Sequence, residues 1–179
     1  NWRSWTGGRT PTEYDYLTPK YAKMNQIEEK IKALGLELPP APPSAGIYYP
    51  VVIAGKQLFV SGQGPVQSNG ELIKGKVGKD MPLEEGILAA RQVGLTMLST
   101  IKAQIGDLGK IKRIIKTLGM VNCYPEFEQH PQTINGFSQL MVAVFGEELG
   151  KGARSAVGMS LPANIAVEIE AIFELHEAS

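Results

Sequence analysis

Ile165-Ala166-Val167-Glu168-Ile169-Glu170-Ala171-Ile172-Phe173 alternates between two sets of side chains. Successive side chains of a strand point to opposite faces, so Ile165, Val167, Ile169, Ala171 and Phe173 line one face. Glu168 and Glu170, with Glu174 beyond them, line the other. The segment therefore reads as a half-buried strand. Its outward face is only half polar, because Ala166 and Ile172 share it with the glutamates, and that mixture predicts partial cover by another subunit.

Upstream, residues 153–161 hold Arg154, then the apolar Ala156-Val157, and read as a short strand over 154–159 after a glycine-rich connection over 146–152. Ile134, Phe137, Met141 and Val144 fall on one helical stripe and predict an amphipathic helix over 133–145. Residues 111–121 read as a strand. The basic strip of Lys110, Lys112, Arg113 and Lys116 alternates with apolar residues there, as the solvated face of a strand does. After Pro82, Ile87, Ala90, Gly94, Met97, Ile101 and Ile105 write a long helix that Gly106 ends, and Gly94 within the stripe predicts a close approach to the surface the helix covers.

Residues 48–53 and 57–61, joined by Gly55-Lys56, predict a hairpin. Proline-rich residues 38–43 enforce an extended connector, and residues 21–34 carry Met24, Ile27, Ile31 and Leu34 on one helical stripe, followed by Gly35 where a helix-ending glycine belongs. Residues 1–22 show neither period and read as an extension; residues 23–179 then form one domain. Hairpin, helix, strand, helix, strand, strand is the order of an α+β fold, with a sheet and both long helices on one face.

The 179 residues carry 18 Lys+Arg and 18 Asp+Glu, so no global field attracts nucleic acid or an anionic membrane. No apolar run reaches transmembrane length. A single cysteine, Cys123, excludes an internal disulfide and points to a reducing, cytoplasmic home, or to an organelle if the extension is a targeting remnant. No metal site is expected, since His130 in a loop and His176 near the end form no ligand cluster. They form no hydrolase triad either, and Cys123 at a strand end reads as a small buried hydrophobe. Gly75-Lys76-Val77-Gly78 lacks the phosphate-loop spacing and reads as a surface turn. Ser61-Gly62-Gln63-Gly64-Pro65 ends a strand, where glycines let a ligand approach the backbone.

Arg154 leaves the start of a strand, and an arginine so placed can grip a carboxylate with two parallel hydrogen bonds. Pattern alone leaves two other readings open, a plain surface arginine and one paired with Glu168 or Glu170.

Several segments together resemble the YjgF/RidA family, the imine and enamine deaminases also known as L-PSP endoribonucleases or translation inhibitors. They are residues 41–48, the run Leu58-Phe59-Val60-Ser61-Gly62-Gln63-Gly64-Pro65, the run Ala153-Arg154-Ser155-Ala156-Val157, Leu161-Pro162, and residues 165–172. The likeness spans about residues 36–175. It implies a chorismate-mutase-like fold, a homotrimer with sites in the clefts between neighbours, and no cofactor. Arg154 matches the arginine that binds the substrate carboxylate, and Glu168 the glutamate that orients water. Tyr48, Ser61 and Gly62 match the opposite wall of the pocket. Asn135 matches the helix asparagine, with Ser138 aligning almost as well.

The implied reaction is hydrolysis of a small 2-imino or 2-enamino acid to a 2-keto acid. Two other readings stand beside it: an RNA-cleaving translation inhibitor, disfavoured by zero net charge and the lack of a histidine pair, and a trimeric binder of small carboxylates without turnover. The chain departs from the family pattern around the arginine. Ala156 replaces a cysteine, Gly158 a glutamate and Gly152 a proline, and the interval to Leu161-Pro162 is one residue short. These changes keep the arginine but reshape its surroundings.

Overall fold

The computed structural model describes residues 26–176. The expected extension over residues 1–22, and its boundary, lie outside the described residues. A helix over residues 26–33, α1, leads to the extended proline-rich connector. Then follow β1 (Val51–Ala54), β2 (Gln57–Gln63), α2 (Leu83–Ile105), β3 (Ile111–Val121), α3 (His130–Phe145), β4 (Ala153–Gly158) and β5 (Val167–Leu175). The strands form one sheet in the order β1-β2-β5-β3-β4. The β3–β4 pair is parallel and the other three pairs are antiparallel.

This topology explains why both long helices share a face. β2 and β3 each run antiparallel to β5, so they are parallel to one another and α2 is a crossover between them; α3 is the crossover from β3 to β4. Both connections step the same way across the sheet. Crossovers of the usual right hand then place both helices on the same side. Between helices and sheet lies the core, where Leu58, Met97, Leu98, Ile101, Ile114, Phe137, Ile169 and Phe173 are fully buried.

The first strand of the hairpin is shorter than expected and the second runs two residues further. Pro50 has no N–H to give the ladder, so β1 begins at Val51 and Tyr48 lies in a bend before it. Only the carbonyl of Pro50 still pairs, accepting from Ser61 N. α3 begins earlier than its apolar period predicts, because Pro131 is accommodated in a first turn whose N–H groups lack intrahelical partners in any case. His130 is thus the first residue of a helix rather than part of a loop. Gly94 does mark a close approach, but to α3: a Cβ there would lie 2.6 Å from Leu140 Cδ2. Bulges between Ile111 and Arg113 and between Ile114 and Lys116 interrupt the alternation of the basic strip, so Ile111 and Ile114 are both buried.

The face of the sheet opposite the helices carries Val52 and Phe59, paired across β1 and β2, then Ile172 opposite Phe59. Leu118 and Met120 continue it on β3, and Ser155 and Val157 on β4. Val52, Phe59 and Val157 are exposed. The half-apolar outward face expected from β5 thus extends across the whole sheet.

Candidate functional site

Arg154 sits on β4 opposite Thr117, at a position facing the helices. Its Nη1 donates to Asn135 Oδ1 at 2.9 Å and to Ser138 Oγ at 3.0 Å, and its Nη2 donates to the Pro131 carbonyl at 3.4 Å. Asn135 and Ser138 stand three residues apart on α3, which puts them on one helix face, and both hold the guanidinium. Both of the side chains between which the resemblance divides thus contact Arg154. Among the described residues, no carboxylate pairs with Arg154. Both N–H groups of Nη1 and one of Nη2 are engaged, so the Nε–H and the second Nη2–H are left, and these two can take a carboxylate side-on.

A second cluster forms where β2 meets β5. The register shifts between Val60 and Gln63, and this bulge brings the backbone of Gly62 against the Glu168 side chain. A Cβ on residue 62 would overlap Glu168 Oε1, so only glycine leaves room for the carboxylate as it stands. Ser61 Oγ donates to the Tyr49 carbonyl at 2.8 Å, tying the bulge to the bend that carries Tyr48. Tyr48 is exposed, and its hydroxyl accepts from Ala45 N at 3.2 Å. Gln63, buried behind the bulge, accepts from Thr100 Oγ1 at 2.7 Å and donates to the Ser61 carbonyl at 3.0 Å. That chain anchors the strand end to α2.

Burial pushes the Glu168 carboxyl above the usual carboxylate range, and the neighbouring Glu170 charge pushes it the same way. Such a group takes up a proton more readily than an ordinary surface glutamate. Among the described residues no cluster of three or more His, Cys, Asp or Glu side chains is arranged to hold a metal.

The two clusters do not meet within one chain. Glu168 lies opposite Met120, which lies opposite Val157, on the face away from the helices, whereas Arg154 faces them. With strands about 4.8 Å apart and residues about 3.3 Å apart, the Cα atoms of Arg154 and Glu168 are roughly 14 Å from each other. A small organic acid cannot span that distance around the edge of a sheet.

Residues 28–169 match the family described as "YjgF/chorismate_mutase-like, putative endoribonuclease". The chain belongs to this family. Among its YjgF-family relatives, Protein TCP17 of Trypanosoma cruzi is 40% identical over 152 residues, which cover 84% of this chain and 95% of that protein. The protein Atu1372 of Agrobacterium tumefaciens, of unknown function, matches with a TM-score of 0.78 and 41% identity, covering 87% of this chain and 97% of that one. An endoribonuclease-described protein of Shewanella oneidensis matches with a TM-score of 0.80 and 33% identity, covering 84% of this chain and 100% of that one. The mixed sheet with two long helices on one face is thus a YjgF-type fold. No described helix of this YjgF-family chain is long and apolar enough to cross a membrane.

Other groups at these clusters carry no pattern in the sequence. The Pro131 carbonyl is a backbone acceptor, and Gln63 with Thr100 are separated by 37 residues. Cys123 is half-buried rather than buried, and its Sγ lies 3.4 Å from His130 Nε2. Nothing in a spacing of seven residues across a loop announces that contact.

Proposed function

We propose that this chain hydrolyses small reactive 2-imino and 2-enamino acids to 2-keto acids, as a cytoplasmic homotrimer in which each site joins the Arg154 cluster of one chain to the Glu168 cluster of its neighbour. The observation that carries the reading is the guanidinium held by Asn135, Ser138 and the Pro131 carbonyl with two donors to spare. A carboxylate on those donors fixes the adjacent imine carbon. Glu168, beside Gly62, accepts a proton from water as the water oxygen bonds to that carbon and the C=N pair moves to nitrogen. Glu168 returns that proton to the nitrogen, the proton of the new hydroxyl follows it there, and the tetrahedral adduct expels ammonia and leaves the keto acid. The reaction calls on no metal or organic cofactor. The half-apolar open face of the sheet supports the assembly, since it would bury Phe59, Ile172 and Val157 against a neighbour.

An amino-acid oxidase that generates imino acid, with semicarbazide as trap, tests the activity. Added protein should lower the semicarbazone signal for small side chains, and Arg154→Ala should not. No decrease across several side chains removes the deaminase reading; continued binding of a 2-keto acid in that case marks a binder without turnover.

A further inference from the structure

On the face of the sheet that carries no helix, the charges are unevenly matched. At one end Lys112 Nζ lies 2.9 Å from Glu174 Oε1. That hydrogen bond holds the Glu174 carboxyl below the usual carboxylate range, and the Arg113 and Lys56 charges act the same way. In the middle of the face Glu168 and Glu170 follow each other on β5, and among the described residues neither forms a salt bridge. Lys116 stands opposite Ile172, which makes it a diagonal neighbour of Glu170, about 7–8 Å away and within a lysine's reach. Its ammonium nevertheless turns to the other side and donates to Ser155 Oγ on β4 at 3.0 Å. A lysine held by a neutral hydroxyl and a carboxylate without a cation thus share one open face.

Water satisfies both groups while the face is open. Covering the face removes that water, and a buried charge without a partner is costly. A second copy of this chain brings the missing charge from the same two positions. In the proposed assembly β4 of one chain meets β5 of the next, because Arg154 and Glu168 share a site. Lys116 leans onto Ser155, the residue after Arg154, and Glu170 is about 7 Å from Glu168 along β5. The neighbour that brings Glu168 to Arg154 therefore lays Glu170 beside Lys116.

We propose that Lys116 of each chain pairs with Glu170 of its neighbour, and that this pair sets the register in which the Arg154 and Glu168 clusters meet. The inference rests on the composite site proposed above. Lys116 and Glu170 are positioning residues, and their effect on the reaction passes through the assembly alone.

Light scattering and deamination are followed together over a dilution series. Lys116→Glu and Glu170→Lys each set like charges at every boundary, so each should dissociate at a concentration at least about tenfold above wild type, with circular dichroism unchanged. Lys116→Glu combined with Glu170→Lys in one chain should return both dissociation and activity toward wild type. The two single variants mixed together should also reassemble, since in a mixed trimer all but one boundary joins opposite charges, whereas pairing within a chain gains nothing from mixing. Single variants that assemble as wild type does, or a mixture that stays apart, would overturn the pair and leave the assembly standing. A wild type that is monomeric at every concentration removes the assembly and the pair with it. Rescue by mixing in a protein that shows no deamination supports the pair and removes the deaminase reading alone.

Discussion

A guanidinium on a long side chain loses rotamer freedom when it grips a ligand, and Asn135 and Ser138 remove much of that freedom beforehand. Asn135→Ala and Ser138→Ala should each weaken 2-keto acid binding about three- to tenfold by calorimetry, the net worth of one typical hydrogen bond. Arg154→Lys keeps the charge but lacks the parallel donors, and should lose at least about tenfold. Glu168 obeys a different sign. Its folded-state carboxyl is raised by burial and by Glu170, so its stabilising contribution is complete below the unfolded value and is lost as pH rises through the folded one. Glu168→Gln should therefore melt slightly higher than wild type at pH 7, by up to about 2 °C, and the gain should vanish in acid. Activity should move the other way, and the wild-type rate should fall on acidification through a value above the ordinary carboxylate range.

Among the elements, the strand with strict alternation and the helix bounded by Pro82 and Gly106 were legible because their burial follows one simple period. β3 was legible in its bounds, but its two bulges put Ile111 and Ile114 on one side, which no alternation foretells. The starts of β1 and α3 depend on what Pro50 and Pro131 do to individual N–H groups. Arg154 and Glu168 were readable through resemblance; that they lie on opposite faces follows only from strand register. At the α2–α3 crossing, Gly94→Ala forces a methyl against Leu140, Phe137 and Met141. Overpacking of this kind costs about 1–3 kcal/mol, so the melting temperature should drop by roughly 3–10 °C. Gly62→Ala meets only the end of a flexible glutamate side chain, so it should impair deamination far more than it lowers the melting temperature.

The sheet leaves one whole face without helices, and that face carries Phe59 and Ile172 side by side. In the proposed assembly, an aspartate at Ile172 would be buried without a partner, which an interface does not tolerate. Ile172→Asp should remain folded by circular dichroism, run as a monomer in light scattering and have no deaminase activity. The central claim is that every site draws its arginine and its glutamate from different chains. Arg154→Ala and Glu168→Gln should each be inactive alone. Unfolded, mixed in equal amounts and refolded together, they should regain about a quarter of wild-type activity, because random assembly gives that share of sites one intact residue from each parent. A mixture as inactive as its components would contradict the account.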